Sequence, residues 1–114
     1  MWLSFNKKNC LVMNEKEKEL YVKFEKEVLD TDWELIKPHH TRQALFIVEP
    51  HLDLIQLAID VALDNVSSVK NAMELNLLRY PSNNEIEKWD ISPNNKIGKF
   101  LIVSPYVFLQ GYRN

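Results

Sequence analysis

The sequence predicts an α+β domain: about five helices around a central buried helix, with a small two-stranded sheet. Three observations predict it. Residues 51–64, HLDLIQLAIDVALD, are apolar over more than half of a helical wheel. Residues 44–48 and 99–110 are two distant tracts, nearly continuous in apolar and β-forming residues. The remaining chain carries helical spacing with readable N-caps. Read in order, the elements are helix, helix, strand, helix, helix, helix, strand.

The first helix spans residues 14–29. Asn14 is suited to the N-cap, Glu17 stands at the capping-box position, and Leu20, Tyr21, Phe24 and Val28 form the apolar stripe. Its opposite face alternates Lys and Glu, with Glu19 and Lys23 at i,i+4, and reads as solvated. Thr31 and Glu34 suggest a second capping box, opening a helix whose apolar residues are Trp33, Leu35 and Ile36. Pro38 either kinks that helix or starts a fresh turn. The unbroken run ALFIV, residues 44–48, has no alternation and so reads as a strand covered on both faces.

The central helix follows. Asp53, Gln56, Asp60 and Asp64 lie along one ridge, intruded on by Leu57, and Asp53 falls in the first turn, facing the positive dipole end. The other residues are expected to be covered on several sides, leaving only the acidic ridge in water. A fourth helix, residues 66–75, turns Val66, Val69 and Met73 inward. A fifth is capped by Ser82 with Glu85, with Ile86 and Trp89 facing the core. Residues 92–98, SPNNKIG, read as a loop. Ser104-Pro105 divides the last apolar tract into one bent strand or two short ones.

Length and composition bound the class. A chain of 114 residues makes one domain, and 46% hydrophobic with 26% charged residues is a globular composition. Net charge of −2, with both signs interspersed, offers no electrostatic reason to expect nucleic acid as a partner. Cys10 stands alone, which excludes a disulfide framework within these residues and points to a reducing cytoplasm. No apolar run approaches the ~18 residues a membrane span requires. Lys7 and Lys8 break the apolar start, unlike a secretory signal. Residues 1–12 lack any period and read as a poorly ordered extension before a single domain at residues 13–114, with Met13 as the expected natural start.

Trp33 with His39, His40 and Arg42, the strand FIVEP, the stretch LDLIQLAIDVALDN, Trp89 and the closing FLIVSPYVFLQ together resemble a small bacterial family, domain of unknown function twenty-two eighty-eight. The resemblance runs over about residues 19–110. It implies a bacterial, cytoplasmic, single-domain protein, and it implies no activity. The residues before Met13 are a departure from the family's pattern.

The candidate sites are few. His39, His40 and Arg42, with Asp53, offer imidazole, guanidinium and carboxylate groups near a strand–helix junction, suited to a general base or a metal. Adjacent histidines point apart, however, and a packing or capping role fits them better. Asp60 and Asp64 are close enough on one helix to share a cation; Asp53 and Asp60, two turns or about 10 Å apart, are not. A solvated ridge is the more ordinary reading. Two glycines preclude a glycine-rich phosphate loop, and no cofactor is called for. Trp33 and Trp89 read as core.

These features favour a non-enzymatic interaction or structural module that self-associates. Two apolar strands with too few helices to cover them leave an open edge for a second copy. Tyr106, Phe108 and Gln110 on the closing strand are the expected contacts. The alternative is a small metal-dependent or hydrolytic enzyme using His39 or His40, Arg42 and Asp53.

Overall fold

The computed structural model describes residues 14–112. The expectations about residues 1–12 and Met13 lie outside the described residues. Five helices and five strands follow one another as α1 (Glu15–Glu27), β1 (Leu29–Asp32), α2 (Trp33–Thr41), β2 (Leu45–Val48), α3 (Leu54–Ala62), α4 (Val66–Glu74), β3 (Leu78–Arg79), α5 (Asn83–Ile91), β4 (Lys96–Val103) and β5 (Tyr106–Gly111). None of the described helices is long and apolar enough to cross a membrane.

The α+β class stands, but the small two-stranded sheet does not. The sheet has five strands in the order β1-β4-β5-β2-β3. It is mixed: β2 and β5 run parallel, and the other neighbours are antiparallel. Three features of the sequence hid the extra strands. The tract at residues 99–110 folds back on itself, with Ser104 and Pro105 between the paired residues Val103 and Tyr106, so it supplies two strands. β1 reads LDTD, with only Thr31 buried, and is a strand because its backbone pairs with β4. β3 is two residues long, held against Ile47 and Val48. Neither edge strand has a local period to reveal it, because a strand of this kind exists through its partner's hydrogen bonds.

The extra strands also move boundaries. Leu29 leaves the first helix for β1. The cap of α2 shifts from Thr31, which is buried in β1, to Asp32, whose carboxylate accepts from the Leu35 backbone N–H at 2.9 Å. β4 begins at Lys96, shortening the loop read at residues 92–98. Pro38 sits inside α2 near its end, without breaking it. The capping boxes at Asn14–Glu17 and Ser82–Glu85 both form, and Arg79 grips the Glu85 carboxylate with two bonds, at 2.8 and 3.0 Å. Lys23 pairs with Glu27, at 3.4 Å.

Helices cover both faces of the sheet. Leu45 and Ile47 of β2, with Val107 and Leu109 of β5, pack with Trp33 and Ile36 of α2 and with Ile86 and Trp89 of α5. Val48, Phe108, Leu101 and Val103 point the other way, into a core formed with Phe24 of α1, Ala72 of α4 and Leu54, Leu57, Ala58 and Ile59 of α3. The period of two sends successive residues to opposite cores. Both cores are apolar, hence the unbroken ALFIV run.

The central helix is shorter and less enclosed than expected. It runs Leu54–Ala62, and Asp53 is its N-cap rather than part of its first turn, accepting from the Ile55 and Gln56 N–H groups at 3.1 Å. Ile59 is buried and Ile55 partly so, but Ala62 is exposed. Leu57, on the ridge by the wheel, is buried, and Asp64 has left the helix.

Three helices end in left-handed residues that are not glycine: Gln43 (φ 60°) after α2, Asp64 (φ 60°) after α3 and Asn76 (φ 63°) after α4. Asn and Asp tolerate this region through local hydrogen bonding; Gln does so less well. Gln43→Gly should therefore raise stability by roughly 1 kcal/mol, measured by urea unfolding. Gly98 has the opposite constraint. A Cβ there would lie 2.3 Å from the Gln110 carbonyl oxygen across the β4–β5 ladder. Gly98→Ala should lower stability by about 1–3 kcal/mol, while Gly111→Ala, with its nearest neighbour at 3.9 Å, costs clearly less in the same measurement.

Candidate interaction site

A cleft of about 450 Å³ opens where the end of α3 and the start of α4 meet the sheet. Its floor is aromatic. Phe46 and Phe108 are register partners on the parallel strands β2 and β5, so both rings rise from the same face, with centroids 6.0 Å apart. Tyr80 stacks on Phe46 at 4.8 Å, and Tyr106 meets it edge-on at 5.8 Å. Phe108 is buried, whereas Tyr80 and Tyr106 are 52% and 42% exposed. The aromatic cluster thus runs from the core to open water.

The opposite wall is α4. Its stripe of Val66, Val69 and Met73 was expected to face inward. Of this helix only Ala72 is buried; Val66 is 64% exposed and Met73 46%. The stripe faces the cleft because α4 is tethered by a three-residue connection after α3 and rests on the sheet's short edge, where too little strand exists to cover it.

Polar groups ring this apolar hollow. Asp60, Asp64, Asn65 and Lys70 all line it. Asp60 is half-buried, and burial is the main cause that raises its pKa above the ordinary 3.8. The charges of Glu17 and Asp53 push the same way, and hydrogen bonds from Gln56 and Asn65 oppose the rise. The Gln56 amide donates to the Asp60 carboxylate at 3.2 Å. Asp64 stands exposed on the turn, and Lys70 is exposed on α4.

The structure disperses the other sequence candidates. His39 and His40 occupy the last turn of α2 and diverge. The His39 ring is hydrogen-bonded to the Arg42 guanidinium, and partial burial together with that neighbouring charge lowers its pKa below the ordinary histidine value. His40 packs on Trp33, with ring centroids 5.8 Å apart, and its Nδ1 is buried without a hydrogen-bond partner among the described residues. Trp33 is itself fully buried against Trp89, its indole N–H donating to Asp90 at 2.8 Å; Lys37 also reaches that carboxylate, at 3.2 Å.

Arg42 lines a second, open hollow of about 710 Å³ between α2 and the end of α5, together with Lys37, Pro38 and Asp90. Lys37, Pro38 and Arg42 all precede β2 in the chain. Asp53 comes after its end, the strand of four residues spanning about 10 Å at 3.3 Å per residue. His39, His40 and Arg42 are therefore not brought together with Asp53. Asp60 and Asp64 do share a cleft, but no three His, Cys, Asp or Glu side chains converge among the described residues.

Of the three proposed contact residues, Tyr106 and Phe108 line the cleft. Gln110 turns away from it. Its amide donates to the carbonyls of Leu52 at 2.6 Å and Glu49 at 2.9 Å, latching the β2–α3 loop to β5. Phe46, Tyr80, Met73 and Lys70 were missed by sequence reasoning. Met73 lies in the apolar stripe of α4 and Phe46 in the ALFIV run, and both signals read equally well as core; nothing local marks Tyr80 or Lys70.

The sequence profile of the family described as "Protein of unknown function (DUF2288)" matches residues 19–111. The chain belongs to this family. No curated protein matches the sequence. Among solved structures, the fold is similar to the NMR solution structure of PA1075 from Pseudomonas aeruginosa, with a TM-score of 0.68 and 24% sequence identity over 90% of this chain and 93% of that one. At that identity the likeness shows a shared fold and nothing finer. Family membership agrees with the resemblance read from the sequence, and it carries no reaction with it.

Asp60 provides a test of the cleft's electrostatics. Its folded-state pKa lies above the unfolded value, so the folded state gains stability as pH falls through that pKa and has lost the gain at neutral pH. Asp60→Asn keeps the acceptor for Gln56 and removes the charge. Urea unfolding should find it at least as stable as the parent at pH 7, with any advantage shrinking as pH falls into the ordinary aspartate range. An advantage that grows on acidification would contradict the assignment.

Proposed function

We propose that this protein is a non-enzymatic interaction module that self-associates. One observation carries the reading: the apolar stripe of α4 and Tyr106 of the aromatic cluster line one open cleft that no element among the described residues covers. Single exposed apolar residues are ordinary on a protein surface, and Val22, Leu35 and Ile91 are of that kind, each on a different helix. A contiguous patch rimmed by charges is the usual mark of a binding surface.

The route to association differs from the one the sequence suggested. The strand edges are poor templates: β3 has two residues, and β1 carries a bulge between Thr31 and Asp32 and two aspartates. Such features discourage edge-to-edge pairing. The helix–sheet cleft provides the apolar surface instead.

An enzyme using His39 or His40, Arg42 and Asp53 has less support, because these residues lie at the two ends of β2. A reducing, cytoplasmic, bacterial setting is part of the proposal, supported by the lone cysteine and by the resemblance to the family. The net charge of −2 supports a protein partner over nucleic acid.

Sedimentation equilibrium over a wide concentration range tests the reading. The expected result is a mass rising from monomer towards dimer with concentration. A clean monomer at the highest concentration would overturn it.

A further inference from the structure

Resting on that reading of self-association, we propose that two copies meet at the α3–α4 cleft across a twofold axis, with Lys70 of each protomer paired to Asp64 of the other. A twofold interface uses the same patch on both partners, so the patch must be complementary to itself. This one meets that requirement in shape of charge as well as in apolarity. Its lining combines apolar Val66, Met73 and Tyr106 with both signs of charge, Asp64 on the turn after α3 and Lys70 one turn into α4.

Both charged groups are available. The ion pairs among the described residues join Lys18 to Glu15, Lys23 to Glu27, Lys37 to Asp90, His51 to Glu49 and Arg79 to Glu85; none uses Lys70 or Asp64. Asp60 is the less suitable acid. It is half-buried, already accepts from Gln56, and has its charged form disfavoured by burial. Asp64 is exposed, and its left-handed backbone directs the chain out of α3 at the cleft's mouth.

The division of labour follows from general physics. Closing apolar surface drives association, and rim charges fix orientation and exclude wrong partners while adding modest affinity. Each protomer supplies one Lys70 and one Asp64, so every substitution acts twice in the dimer.

The test is a charge-reversal cycle on the full chain, read by sedimentation equilibrium, with circular dichroism confirming that each variant is folded. Lys70→Glu and Asp64→Lys alone each place like charges together twice and should raise the dimer dissociation constant about tenfold or more. The double variant restores opposite charges and should recover most of the parental affinity. Val66→Asp, at an exposed helix start where an acid is well tolerated, should abolish the dimer. A parent that stays monomeric overturns the self-association reading itself. A parental dimer indifferent to Val66→Asp overturns the choice of surface while self-association stands. Single variants that weaken the dimer without recovery in the double variant overturn the Lys70–Asp64 pairing.

Discussion

The parallel pairing of β2 with β5 is the constraint on which the rest of the molecule depends. Leu45, Phe46, Ile47 and Val48 lie in register with Val107, Phe108, Leu109 and Gln110. Six of these eight side chains are buried, some on each face, so neither face can be left to water. Burial of apolar area on both sides requires two layers of cover, and the chain supplies α2 and α5 for one, α1, α3 and α4 for the other. β4 and the short edge strands then satisfy the backbone groups that the pair leaves open.

That arrangement also explains why a cleft exists. At the end of the sheet where β3 is only two residues long, the layer of helices outruns the surface beneath it. α4 contributes one buried residue, Ala72, and keeps its larger apolar side chains at the margin. Phe46 and Phe108 are held rigidly by the strand pair, and Tyr80 and Tyr106 extend their aromatic surface outward. The apolar patch is thus a by-product of edge geometry, and rigid strands on one side make it well defined. On the other side of the sheet, Trp33 is locked by Trp89 and by its hydrogen bond to Asp90, so that corner is built for packing.

Much of this was readable locally. Caps at Asn14 and Ser82 are decided by side chains within three residues of the helix start, and the continuous apolar runs state that their strands are covered twice. The cap at Asp32 in place of Thr31 and the hairpin at Ser104-Pro105 were legible only in part, because each depends on a partner strand distant in sequence. Of the contact candidates, Tyr106 and Phe108 lie in the cleft, while Gln110 serves the fold, its amide spent on loop carbonyls some sixty residues away in sequence. Nothing near Gln110 in the chain distinguishes an internal latch from an external contact.

By itself, the amino-acid sequence determined the α+β class, the identity of the helices and the two-sided burial of the ALFIV and closing strands, since propensity, capping and apolar period act over a few residues. Tertiary structure alone decided the number and order of strands, the separation of His39, His40 and Arg42 from Asp53, and the exposure of Val66 and Met73. The reason is physical: backbone pairing and burial are properties of surfaces brought together, and an apolar stripe carries no mark saying whether another element will cover it.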